Sequence, residues 1–171
     1  MPISKFSVYA AKYFYALFLI FLCLALFVAF TLGFGNLLGL LKPELKFKDY
    51  NMSNTLVQLY FKLFMSSLGI LSIQFLLSLL FRDFLKPMGI GFISVITGII
   101  LVSNRWEYAY WFPYSHPMLA FQALPRNRPG MPPPSQAITV DLFTHEIYVS
   151  LAVAAVVFIA GYFIVLKKSV K

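Results

Sequence analysis

The stretch YFYALFLIFLCLALFVAFTLGFGNLLGLL, residues 13–41, contains no charged side chain. Three more uncharged stretches follow at residues 63–81, 87–104 and 147–166. An α-helix rises about 1.5 Å per residue, so about 20 apolar residues cross a hydrocarbon core roughly 30 Å thick. The pattern predicts an all-α integral membrane protein with a single domain over residues 1–171. Its transmembrane helices are expected at about 13–34, 56–81, 87–103 and 147–166, with an outer loop at 104–146.

The composition indicates the same class of protein. Of the 171 residues, 60% are hydrophobic and 12% are charged, whereas an average soluble domain is about 25% charged. A chain of this size has too little interior to bury so much apolar surface. The net charge of +8 does not indicate a nucleic-acid partner, because the basic residues stand at the ends of apolar runs. The lipid bilayer is therefore an expected partner.

The number and flanks of the spans predict the orientation. Four spans place both termini on the same side of the membrane. Lys5, Lys12, Lys86 and Lys167 crowd the span ends on that side, and basic residues in short loops mark the cytoplasmic face. The opposite loops are longer and carry mixed charge, so they weigh less in this rule. We expect a multi-pass protein with both termini in the cytoplasm.

The most distinctive local segment is WEYAYWFPYSHPMLAF, residues 106–121. Trp and Tyr settle at the boundary between water and lipid. Either two short helices re-enter the outer leaflet, or the segment is an aromatic belt on a surface loop. We favour the re-entrant interpretation, because non-helical backbone at membrane depth is tolerated where protein covers it. The residues assigned to this segment are Trp106, Tyr110, Trp111, Pro113 and Pro117.

Polar residues within the second span form a candidate face for transport or packing. Ser67, Gln74 and Ser78 are spaced so that they share one side of a helix. They would line a transport path or make hydrogen bonds between helices, and we favour the hydrogen bonds. Lys62 is the one charge inside a predicted span. It belongs to a functional site or extends its ammonium group to the lipid headgroups, and we favour the second interpretation.

Small residues in the third span predict close packing. Ser94 and Gly98 are four positions apart, and such a pair lets another helix approach closely.

Signals for catalysis or cofactor binding are weak. His116 and His145 lie outside the spans, and no cluster of cysteines or carboxylates completes a metal site around them. We expect solvated or interfacial histidines. The sequence has no GxxxxGK(S/T) phosphate-binding loop. We therefore expect no catalytic residues, no cofactor and no metal, and we assign any ATP hydrolysis to a partner subunit.

Three pieces of the sequence have counterparts, in the same order, in one family. They are the lead-in PISK with YAAK at residues 2–5 and 9–12, the hairpin IQFLLSLLFRDFLKPMGIGFISVITGIIL at 73–101, and the aromatic segment at 106–121. Together they resemble the membrane subunit of type-2 ATP-binding-cassette (ABC) exporters, particularly the small bacterial permeases of the lantibiotic-immunity kind. The counterparts are the end of the cytoplasmic coupling loop, the fourth and fifth spans with their tight inner turn, and the outer re-entrant helices before the last span.

The resemblance implies a permease subunit in the bacterial inner (plasma) membrane. It would export a hydrophobic or amphipathic substrate by ATP-driven alternating access, with a separate ABC ATPase and a homo- or hetero-dimer of permeases. Such permeases usually have six spans. The sequence is therefore expected to supply only the last four of these spans. It would then be a C-terminal fragment, or its start would have been placed at an internal methionine, or a second polypeptide would supply the first two spans. By position, the ATPase contact would fall on Pro2, Ile3, Ser4, Lys5, Arg82, Asp83 and Lys86.

The alternative function is that of a non-transport membrane protein. In that case the chain would be a scaffold or assembly subunit whose spans only pack against partners. Co-isolation of an ATPase in mild detergent would distinguish the exporter from the scaffold.

Overall fold

A computed structural model of the protein describes residues 4–42, 44, 53–81, 83–122 and 140–167. Within these residues the chain forms five α-helices and no strand. They are α1 (Lys5–Leu41), α2 (Ser53–Leu80), α3 (Leu85–Ser103), α4 (His116–Gln122) and α5 (His145–Lys167).

Two 3₁₀ turns, Ala109–Trp111 and Pro113–Ser115, precede the short helix α4. The other four helices are each long and apolar enough to cross a membrane. The helical fold class expected from the sequence is thus confirmed for the part of the chain that the structure describes. Residues 123–139 of the predicted outer loop lie outside that part.

α2 is the central helix and contacts each of the other four. α1 runs antiparallel to it. Near the start of α1 the Tyr13 hydroxyl lies 2.7 Å from that of Ser72, and further along the Phe21 ring packs edge-on against Phe64. Ser72 donates its own proton to the carbonyl oxygen of Leu68 at 2.8 Å, so Tyr13 donates to Ser72. This bond fixes the start of α1 against the middle of α2.

α5 runs parallel to α2 and makes the most extensive contact with it. The Ser150 hydroxyl accepts a hydrogen bond from the Gly69 N–H at 2.9 Å and lies 3.1 and 3.0 Å from the carbonyl oxygens of Met65 and Ser66. Gly69 permits this approach, since a Cβ there would lie 3.2 Å from the Ser150 hydroxyl. Small residues and hydroxyl groups at a crossing allow apolar helices to associate in a lipid solvent.

The helix directions give the bundle two distinct ends. The terminal end holds the start of α1, the end of α2, the start of α3 and the end of α5. At this end the rings of Phe6 and Tyr162 pack edge-on with centroids 5.1 Å apart, and Tyr9 donates to the carbonyl oxygen of Phe158 at 2.8 Å. The loop end holds the opposite ends of these helices. α1 therefore begins, and α5 ends, on the same side of the bundle.

A hydrogen-bonded reversal ends α3 and turns the chain back toward the bundle. The Trp106 N–H donates to the Leu101 carbonyl and the Arg105 N–H to the Val102 carbonyl, both at 3.1 Å. This is the hydrogen-bond pattern of a Schellman motif. Arg105 occupies the left-handed position of that motif, with φ 54°, where glycine is preferred because a side chain costs about 1–2 kcal/mol.

Replacing Arg105 by glycine is expected to stabilise the fold by about 1 kcal/mol, because glycine lacks the Cβ that opposes this conformation. Arg105→Ala is the matched control, since it removes the same charge and keeps the Cβ. Unfolding in mixed micelles with increasing SDS would measure both variants. Equal stability of the glycine and alanine variants would contradict the assigned reversal.

Candidate functional site

Residues 104–122, here called the wedge, pack against α2, α3 and α5. Gly98 brings the wedge close to α3, since a Cβ on Gly98 would lie 2.7 Å from the Tyr114 carbonyl oxygen. Gly98 stands five residues before the last residue of α3, Ser103, so the Tyr114 backbone lies about 7.5 Å from that end of the helix. The aromatic segment therefore turns back between the helices and does not merely cross their ends.

The wedge satisfies its backbone through short turns and two side chains. Three backbone hydrogen bonds of 3.0–3.1 Å follow one another along residues 106–112. The buried Ser115 hydroxyl shares its proton between the carbonyl oxygens of Ala109 and Phe112. The buried His116 ring reaches the Tyr110 carbonyl oxygen with Nε2 at 2.8 Å. These contacts supply partners for backbone groups that water does not reach.

The five residues predicted for this segment lie in different surroundings. Trp106 and Trp111 are 49% and 63% exposed, and Tyr110 is half-buried. Pro113 begins the second 3₁₀ turn, and Pro117 lies in the first turn of α4, where a missing N–H costs no helical hydrogen bond. The prolines thus shape the reversal, while the tryptophans form its outer surface.

A groove of about 740 Å³ lies between α2 and α3, on the terminal side of the wedge. Its wall is mostly apolar and includes Phe81, Met88 and Phe92. The polar side chains that line it include Gln74, Ser78, Tyr114 and, nearest the terminal end, Asp83. Pockets of this size and character hold small ligands, with apolar walls for affinity and a few polar groups for orientation.

Gln74 connects three elements where the groove meets the wedge. Its Nε2 donates to the Tyr114 hydroxyl at 3.0 Å. The same amide lies against Gly91 of α3, where a Cβ would overlap it. Burial raises the pKa of the Tyr114 hydroxyl, and the bond from Gln74 opposes that rise, so the hydroxyl stays neutral. The contact among Gln74, Gly91 and Tyr114 thus closes one end of the groove.

The three polar residues predicted to share a face of α2 have separate roles. Ser67 and Ser78 donate to carbonyl oxygens of their own helix at 2.8 and 2.7 Å. Gln74 bonds another element. The structure places Gln74 and Ser78 at the groove and Ser67 away from it. The serines that join helices are Ser72 and Ser150, and sequence reasoning did not select them because the spacing on one helix does not identify a partner on another.

The interpretation that Lys62 extends to the headgroups is wrong. Its side chain is 1% exposed, and its Nζ lies 3.3 Å from Oε1 of Glu146, whose side chain is 12% exposed. An isolated ammonium group is costly to bury, and a carboxylate partner offsets part of that cost. Removing one member of such a pair typically costs about 3–5 kcal/mol. Lys62 therefore belongs to a buried charged site, whose second member, Glu146, the sequence analysis overlooked at the start of the last span.

The histidines were expected to be solvated or interfacial, and His116 is not solvated. Its side chain is fully buried, while His145 is exposed. Burial lowers the pKa of the His116 imidazole, and the hydrogen bond to Tyr110 and the negative charge of Glu146 act in the opposite direction. His116 thus lies within electrostatic reach of the buried ion pair.

The residues predicted to contact an ATPase lie at the terminal end where the structure describes them. The Ser4 hydroxyl accepts from the Ser7 N–H at 3.1 Å and caps α1. Asp83 accepts from the Leu85 N–H at 3.1 Å in the turn between α2 and α3. Lys5 and Lys86 are exposed, and Pro2, Ile3 and Arg82 lie outside the described residues.

Comparisons with known protein families, curated proteins and solved structures found no match to this chain. The described residues combine three features. They are an apolar groove of ligand size, the hydrogen bond from Gln74 to Tyr114 at one end of it, and the buried ion pair of Lys62 and Glu146. The groove suits a small, largely apolar ligand.

Cysteine labelling is expected to distinguish the two sides of the wedge. In a Cys23→Ala background, a cysteine at Ala109 should resist a bulky charged maleimide, because Ala109 is 3% exposed. A cysteine at the exposed Glu107 should react quickly and serves as the control. Equal rates of labelling at the two positions would contradict a buried wedge.

Gly98→Ala is expected to loosen the wedge, since the new methyl group must displace the Tyr114 backbone. Overpacking of this kind costs about 1–3 kcal/mol, so labelling at position 109 should accelerate by about tenfold or more. Gly89→Ala is the control on the same helix, because nothing lies within 4 Å of a Cβ there. Acceleration in both variants, or in neither, would contradict the contact.

Proposed function

We propose that the chain is a membrane-embedded permease subunit of a bacterial ABC-type exporter. The observation that supports this most directly is the wedge, which follows α3, precedes the last long helix and packs against α2, α3 and α5. The family that the sequence resembles is expected to have outer re-entrant helices at this point of the chain. In the proposed function, the wedge closes the outer end of the substrate path.

The groove between α2 and α3 favours a hydrophobic or amphipathic substrate. Its mostly apolar wall would receive the hydrocarbon part, and Gln74 and Ser78 would orient a polar group. Its volume of about 740 Å³ falls within the range of about 300–1,000 Å³ that is typical of ligand pockets. Movement of α3 away from Gln74 would open the groove toward the wedge. ATP binding to a partner subunit would supply the energy for that movement.

The chain would lie in the inner membrane of the cell, with its terminal end facing the cytoplasm. Exposed lysines at this end include Lys5, Lys12 and Lys86, and the opposite loops mix both signs of charge. Positive charge near short loops favours the cytoplasmic side. The ATPase would then bind Ser4, Lys5, Asp83 and Lys86, and a second permease subunit, identical or different, would complete the path.

The surface of α1 favours a second candidate function. None of the most apolar 18-residue window of this helix is buried, so much of the helix surface is open to lipid or to another subunit. A scaffold or assembly subunit would use that surface to hold partners without moving a substrate. Such a subunit would co-isolate with membrane proteins and not with an ATPase.

Purification of the tagged chain in mild detergent from the cells that encode it tests the exporter proposal. We expect a stoichiometric partner that binds and hydrolyses ATP. Lys86→Ala should weaken that association by about tenfold, which corresponds to about 1.4 kcal/mol, because Lys86 lies at the proposed contact. Lys42→Ala removes an exposed lysine at the loop end and should leave the association unchanged. Absence of an ATPase from the purified complex would overturn the proposal.

A further inference from the structure

The tautomer of His116 follows from its single hydrogen bond. Nε2 lies 2.8 Å from the carbonyl oxygen of Tyr110. A carbonyl oxygen only accepts hydrogen bonds, so Nε2 carries the proton. In the neutral ring Nδ1 is then left with a lone pair and no proton. Nδ1 of His116 is thus a hydrogen-bond acceptor.

That acceptor is buried and has no donor among the residues that the structure describes. His116 is 0% exposed, and Nδ1 has no hydrogen-bond partner in this part of the chain. Leaving a buried polar atom unpaired is unfavourable. Nearby backbone N–H groups already donate to carbonyl oxygens within the 3₁₀ turns, and the Ser115 hydroxyl donates to the Phe112 carbonyl oxygen. The free lone pair of Nδ1 is therefore the reactive feature of the wedge.

A negative charge acts on the His116 ring. Glu146 acts electrostatically on His116 in the direction that favours the protonated ring. The carboxylate of Glu146 is shared with Lys62, whose Nζ is 3.3 Å from Oε1. A second cation at His116 would compete with Lys62 for that carboxylate. The three groups come from α2, the wedge and α5, so they couple three parts of the bundle.

A small cleft lies beside Glu146 at the loop end. It has a volume of about 350 Å³ and is lined in part by Tyr110, Leu119 and Glu146. Tyr110 supplies the carbonyl that binds His116, and Leu119 lies one turn further along α4. The cleft gives water at the loop end access to the Glu146 carboxylate. The titratable groups that line it are Glu107, Tyr110, His145 and Glu146, and Lys62 is paired with Glu146.

We propose that Nδ1 of His116 is a proton-binding site, with Glu146 as the counter-ion that it shares with Lys62. A proton from solvent adds to the Nδ1 lone pair and gives an imidazolium ion, while Nε2 keeps its proton and its bond to Tyr110. No other bond forms or breaks. The added positive charge weakens the hold of Glu146 on Lys62, which joins α5 to α2. This inference does not depend on the exporter proposal.

The chain contains two histidines, which makes the test direct. The full chain, labelled with ¹⁵N-histidine, would be placed in lipid nanodiscs, and its imidazole nitrogen signals followed from pH 8 to pH 4. His145→Gln assigns the remaining signals to His116. We expect the tautomer protonated at Nε2 at high pH and protonation of Nδ1 on acidification. The midpoint should fall below that of a free imidazole, because burial opposes the charged ring.

Two charge variants test the role of the counter-ion. Glu146→Gln should lower the midpoint for His116, because it removes the negative charge. Lys62→Met should raise it, because the whole carboxylate becomes available to the imidazolium. If either variant fails to fold, the titration of the His145→Gln protein still decides the proposal. A signal from Nδ1 that stays unprotonated down to pH 4, or the opposite tautomer at high pH, would overturn it.

Discussion

The wedge depends on one constraint, which is that backbone polar groups outside regular helix need hydrogen-bond partners when water is excluded. Residues 106–112 meet this requirement largely with their own turns. The Ser115 hydroxyl adds a second donor to the carbonyl oxygens of Ala109 and Phe112, and His116 binds the Tyr110 carbonyl oxygen. The segment can therefore pass between apolar helices. The rest of the site follows from this position, since the wedge closes one end of the groove and covers the buried ion pair.

The buried charges make the wedge part of a connected unit. Lys62 and Glu146 join two parallel helices at the loop end, and Leu59, Leu63 and Ala120 pack together beside them. In a hydrocarbon solvent apolar packing alone gives little specificity, because lipid tails are as apolar as leucine. Hydroxyl bonds such as that from Tyr13 to Ser72, together with the ion pair, select one arrangement of the helices. A change of charge at His116 would act on this same arrangement.

The sequence predicted the helices well and their contacts poorly, for a physical reason. An uncharged run that is long enough to cross a membrane predicts one helix without reference to the rest of the chain. All four long helices lie where such runs occur. Gly98 was also recognised as a packing residue, although its neighbour proved to be the Tyr114 backbone. The pairing of Lys62 with Glu146 could not be read from either residue, because they are far apart in the chain, a lysine in a span usually extends to the headgroups, and Glu146 stands at the start of its helix.

The most direct test of the wedge uses the two tryptophans of the chain, since Trp106 and Trp111 both lie in it. In a Trp106→Phe variant reconstituted in bilayers, the emission of Trp111 would be measured with brominated acyl chains and with aqueous iodide. The exposed ring of Trp111 should be quenched strongly by the bromolipid and weakly by iodide, since the segment lies between helices that are long and apolar enough to cross hydrocarbon. Strong quenching by iodide with no effect of the bromolipid would place the segment in water and contradict the account.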